Sequence, residues 1–201
     1  TRLSLLSSGG ALRNAVGASD NLVATHLRLQ AEGAIGTGAR PLSTSAGTLS
    51  ARSATGALFL SEKDGLSVGA VAVTVNQVDA LGGTSAVTDA NQADLRTGAG
   101  SDGAIVLGVR AGNLSLLDGN GDGRAVDADG SGAVRLEVES GTLTANAGVR
   151  SGTGALTVLT SGTLLLTNGA DLTTGGTGTL DLESSAGALF FSTTSDLTTG
   201  S

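Results

Sequence analysis

The 201-residue chain has no cysteine, methionine, tryptophan or tyrosine, and only three phenylalanines, one proline and one histidine. Without cysteine there is no disulfide framework and no thiolate-held zinc or iron–sulfur centre. A single histidine excludes a multi-histidine metal site. Charged residues make up 14% of the chain, Lys63 is the only lysine, and the net charge is −7. That balance excludes a nucleic-acid interface, which needs a basic patch and usually stacking aromatics. It equally disfavours docking on anionic lipid. No run of 18 apolar residues exists, so no membrane insertion as a helix is expected. The opening TRLSLLSSGG has neither an initiator methionine nor a signal-peptide h-region, and reads as part of a longer polypeptide.

What is abundant is glycine, with 33 residues, and with serine, threonine and alanine it fills about half the chain. Such a composition suits disorder, but the mean hydropathy is +0.21 and the aliphatic residues are regularly placed. A phrase of apolar-x-apolar recurs at Leu3/Leu5, Leu27/Leu29, Leu58/Leu60, Ile105/Leu107, Val134/Leu136, Leu156/Val158 and Leu180/Leu182. The successive offsets are 24, 31, 47, 29, 22 and 24 residues, the 47 being close to two units. Alternation with period two predicts strands buried on one face, and the Asn-Gly, Asp-Gly and Ser-Gly steps between them predict tight turns. Short strands recurring every 22–24 residues predict a parallel β-helix of about eight coils, since one coil cannot bury its own leucines but a stack can. A β-sandwich explains the strands but not the near-fixed offset. The whole of 1–201 is expected to be one solenoid segment, with loop insertions at 76–103 and 118–131. The stretch DANQADLR (89–96) could form one short helical turn.

Residues 26–69, HLRLQAEGAIGTGARPLSTSAGTLSARSATGALFLSEKDGLSVG, resemble repeats of giant bacterial surface proteins of the filamentous-haemagglutinin-like, or adhesin-like, type. The resemblance rests on Leu27-Arg28-Leu29, Ile35-Gly36-Thr37, Pro41-Leu42, Thr48-Leu49 and Asp64-Gly65-Leu66, and residues 76–119 continue the theme. It implies a right-handed β-helical stalk, secreted or at the cell surface, without enzymatic activity. The partners it implies are flanking repeats of the same polypeptide and a host or neighbouring-cell surface or matrix. End-to-end self-association into fibres through uncapped strand edges is a further expectation.

The most specific local motif is DGNGDGRAVDAD, residues 118–129. Asp118, Asn120 and Asp122 occupy the first, third and fifth positions of a calcium loop, Gly123 the sharp turn, the Arg124 carbonyl the seventh and Asp129 the twelfth. Alternate short oxygen ligands suit a hard cation, so calcium is the one cofactor suggested. Asp in place of the longer Glu at position twelve, Val126 at position nine and the absence of flanking helices depart from the pattern. A solvated bulge of about five extra residues explains the same sequence.

For catalysis the candidate acids are Glu137 and Glu139, with Asp181 and Glu183 at the equivalent phrase downstream. A β-helix enzyme or binding module acting on acidic polysaccharide would place such carboxylates in a groove with a basic residue. No tyrosine or tryptophan exists to stack a sugar, and a solvated rod face accounts for the acids equally. His26 alternates with inward Leu27 and Leu29 and is expected to point outward. In Phe190-Phe191 one ring should face solvent.

Overall fold

The computed structural model describes residues 1–15 and 21–200, and they contain no helix. Eighteen strands form one continuous parallel sheet that winds around a single core. The architecture is a parallel β-helix, and its strands lie in three ladders.

The first ladder has eight rungs: Arg2–Ser7, Leu22–Ala31, Leu42–Ser53, Leu95–Thr97, Arg124–Ala128, Gly148–Ser151, Leu172–Thr174 and Leu197–Thr199. The second stacks Leu58–Glu62, Ile105–Val109, Val134–Val138, Leu156–Thr160 and Leu180–Ser184. Isolated bridges through Leu12 and Ile35 extend it towards the N-terminus. The third stacks Leu66–Val68, Leu114–Leu116, Leu143–Ala145, Leu164–Leu166 and Leu189–Phe191. Eight rungs at strand spacing give a rod about 34 Å long.

The register explains the composition. Leu60, Leu107, Leu136, Val158 and Leu182 form one inward column, each directly over the next. Leu107 and Leu136 are fully buried. The last inward position of many strands is instead a small hydroxyl residue that bonds a glycine carbonyl at the corner. Ser53 Oγ donates to Gly33 O at 2.9 Å, Thr160 Oγ1 to Gly141 O at 2.9 Å and Ser184 Oγ to Gly162 O at 2.7 Å. These bonds satisfy turn carbonyls that sheet pairing leaves free. Glycine is required where successive coils meet most closely: a Cβ on Gly154 would lie 2.6 Å from Gly132 O and 2.7 Å from Ala133 N.

Glu62 also points inward, in the column continued by Val109 and Val138. It is fully buried and satisfied by Thr44 Oγ1 at 2.6 Å and by the N–H groups of Ala46 and Lys63. Burial pushes its carboxyl above the ordinary value in spite of those donors.

Four sequence expectations are corrected. The 47-residue step is not two coils, because Leu58 pairs directly with Ile105. It is one coil with an excursion over residues 70–93. Ala70–Val71 pairs antiparallel with Gln92–Ala93, and Thr74–Val78 with Thr84–Thr88, forming a hairpin arm. The 31-residue step from Leu27 to Leu58 joins different ladders; Leu27 is paired with Leu49. The excursion at 70–93 starts before and ends before the expected 76–103, and the insertion expected at 118–131 is narrower, since Leu95–Thr97 and Arg124–Ala128 are rungs of the first ladder. Residues 89–96 form no helical turn: they hold the short strand Gln92–Ala93 and the start of Leu95–Thr97, with irregular chain before and a bend between.

The arm's base rests on the first ladder. Gln92 Nε2 donates to Leu29 O at 2.8 Å, Arg28 Nε to Ala90 O at 3.3 Å and Arg2 Nη1 to Ala72 O at 3.2 Å. Beyond it the ribbon is exposed on both strands, with Leu81 at the tip 97% exposed.

Candidate functional site

The corner between the third and first ladders holds Asp118-Gly119-Asn120-Gly121-Asp122-Gly123. It folds around its own side-chain oxygens. Asp118 accepts from the N–H groups of Asn120, Gly121 and Gly123 at 3.2, 2.6 and 2.8 Å. Asn120 Oδ1 accepts from Asp122 N at 3.2 Å, and Asp122 Oδ1 from Arg124 N at 3.0 Å. These are successive Asx turns, which is why short acids and amides recur at every second position. Desolvation acts to raise the Asp118 carboxyl, but the backbone N–H groups of Gly123, Gly121, Asn120 and Asp122 outweigh this and hold it below the usual carboxylate range.

The other two predicted ligands stand at the two ends of the strand that follows this turn. Arg124 begins the strand, paired with Gly148, and its side chain reaches Asp127 at 3.7 Å. Asp129 follows the far end of the same strand, just beyond Ala128. There it accepts from Gly100 N and from Arg150 Nη2 at 3.2 Å. The structure therefore brings Asp118, Asn120 and Asp122 together and puts Asp129 elsewhere.

A residue that sequence reasoning missed completes the cluster. Asp94 is fully buried where the chain returns from the arm, in a left-handed conformation with φ 68°. It accepts from Gly119 N at 3.0 Å and from Arg96 Nη2 at 3.3 Å. One carboxylate oxygen from each of Asp94, Asp118 and Asp122 lies within 4.8 Å of the others, a donor set that could hold a hard cation. Burial drives the Asp94 carboxyl up to about 6, against the Gly119 N–H and the Arg96 charge. Nothing in the local sequence marks Asp94; only the pairing of Leu95 with Val126 places it beside the turn.

The same region carries a charge ladder. On the outward side of the first ladder, Gln30, Arg52, Arg96, Asp127, Arg150 and Thr173 succeed one another in register. Asp127 bonds Arg150 Nε at 2.6 Å and lies 3.7 Å from Arg96. Arg96 also pairs with Asp94 and Asp122. From Arg96 to Arg150 the signs alternate on adjacent rungs, and the two guanidiniums neutralise acids that the turn and its strand concentrate.

The acids proposed for catalysis sit on the second ladder. Glu137, Glu139 and Glu183 border one shallow depression of about 340 Å³. Glu137 and Glu183 are separated by the Leu159 rung, and Glu137 is bridged to Arg135 at 2.8 Å. Asp181 belongs to the neighbouring outward column, paired with Thr157. His26 is half-buried between Arg2 and Thr48 in register, on the side opposite Leu27. Phe190 and Phe191 are both exposed, at 55% and 44%, because the rung of Leu189–Phe191 has no described neighbour beyond it.

No protein family, curated protein or solved structure matches the chain.

Proposed function

We propose that the chain is a structural, adhesive segment of a large secreted or cell-surface bacterial protein, serving as a rigid stalk or as part of an extracellular filament or matrix. The observation that carries this reading is the first ladder of eight consecutively paired parallel rungs, whose register is broken only by a bulge at Arg124–Val126. Every coil is hydrogen-bonded to the next along the rod axis, so bending requires breaking backbone pairing. Length is then set by the number of coils. The partners in this reading are flanking repeats of the same polypeptide, which would cover Leu189, Phe191 and Leu197, and a host or neighbouring-cell surface. End-to-end stacking of copies on the same edges would extend the filament. Antibody raised against the chain should label intact producing cells or their matrix, and its Fab fragments should reduce cell attachment. Labelling only after cells are permeabilised would refute the proposal.

A second reading, a calcium-ordered module, is favoured by the convergence of Asp94, Asp118 and Asp122. It requires calcium to compete with Arg96 for the same carboxylates. Titration calorimetry should then show one calcium bound, with a higher melting temperature and loss of both effects in Asp118→Asn. A melting temperature unchanged at millimolar calcium would refute it.

A further inference from the structure

The charge ladder of the first face is incomplete at one place. From Arg96 to Arg150 each guanidinium has carboxylate neighbours, but Arg52 lies in register beside Arg96, a like charge on the adjacent rung. Such placement is unfavourable unless a counter-charge is supplied. Arg52 is exposed and makes no hydrogen bond or ion pair among the described residues. Arg28, by contrast, is only 6% exposed, yet its partners are all neutral: Ala90 O, Ser4 Oγ and Gln30 Oε1. Arg96 retains a buried Nε without an acceptor. All three arginines border one groove of about 480 Å³ between the base of the hairpin arm and the 118–123 turn. The one acid lining it, Asp127, is already engaged by Arg96, Arg124 and Arg150.

We infer that this groove binds the carboxylate of a hydroxylated small molecule or chain unit, an acidic saccharide residue, with Arg52 as its principal ligand. A free guanidinium presents two parallel N–H donors that match a carboxylate in bidentate fashion. Asn91, exposed on the wall formed by the arm, offers both a donor and an acceptor, as neighbouring hydroxyl groups require, while Asn120 opposite it, whose amide is engaged by Asp122 at both ends, has one further N–H to give. The groove has no aromatic platform, so recognition rests on charge and hydrogen bonding, and a neutral sugar lacks the group that Arg52 needs. The hairpin arm gains a role from this placement: its base forms one wall of the site.

The test is an NMR titration of the isotopically labelled chain at physiological salt with tri-galacturonate, neutral tri-galactose and a glutamate-bearing peptide. Saturable shifts with tri-galacturonate at residues 52, 91 and 120 are expected. They should weaken about tenfold in Arg52→Gln, whose exposed position leaves the melting temperature unchanged, and tri-galactose should produce none. Three results would overturn the inference: no saturable shift with tri-galacturonate, equal affinity in Arg52→Gln, or binding of the peptide but not the saccharide.

Discussion

Leu136 tests the inward columns directly. Its side chain is fully buried and lies in register between Leu107 and Val158. Truncation to alanine removes three carbons and leaves a void that the neighbours are poorly placed to fill. Backbone pairing holds the coils at a fixed spacing of about 4.8 Å, so Leu107 and Val158 cannot move towards one another along the axis. The cost therefore belongs in the middle to upper part of the range for buried leucine truncation, about 3–4 kcal/mol. Glu137, the next residue, faces outward and is bridged only to Arg135 on the surface. Glu137→Ala should cost less than about 1 kcal/mol. Urea unfolding of both variants gives the comparison. Hydrogen exchange adds the location, since a stack of coils loses stability locally and need not unfold in one step. Protection should fall first in 105–109, 134–138 and 156–160. Similar losses for Leu136→Ala and Glu137→Ala, or a loss below about 1 kcal/mol for the leucine, would refute the register and the core built on it.

The glycines offer a paired test: Gly154→Ala should destabilise by about 1–3 kcal/mol because its Cβ meets three backbone atoms of the preceding coil. Gly108→Ala, where a Cβ meets nothing within 4 Å, should be neutral or slightly stabilising in thermal melts. Asp94 makes stability depend on pH with a definite sign. Its folded-state value of about 6 lies above the ordinary 3.8, so the folded chain binds the proton more tightly and this contribution is lost as pH rises from about 4 through 6. The difference of about 2 units corresponds to about 3 kcal/mol at most. Asp94→Asn, which tolerates the left-handed backbone, should therefore stabilise the chain at pH 8 and much less at pH 4; equal effects at both would count against the buried charge.

The ladder architecture was legible because period-two alternation and glycine corners are local signals repeated many times. Which phrases share a ladder was less so. Apolar pairs occur on all three faces, and Leu27 and Leu58 look alike although they occupy different ones. A better marker was present in the triplets Gly10-Ala11-Leu12, Gly33-Ala34-Ile35, Gly56-Ala57-Leu58, Gly103-Ala104-Ile105, Gly132-Ala133-Val134 and Gly154-Ala155-Leu156. Their aliphatic residues fall in one column of the second ladder. Within the candidate site, Asp118, Asn120 and Asp122 were readable because a turn is local. Asp94 and the pairing of Arg52 with Arg96 were not, because they depend on contacts across 24 and 44 residues set only by register.

The hairpin arm leaves and rejoins the rod at almost one point: Asp94 N donates to Gly69 O at 3.1 Å, while Gly69 N bonds back to Leu49 O at 3.2 Å. Twenty-four residues are thus tied off at a corner, and the coils on either side pair as though nothing intervened. Such a corner acts as a socket. A surface element of another length or sequence can be seated there without shifting the register of a single rung, so the rod's mechanical role and whatever its side arms recognise are free to vary separately.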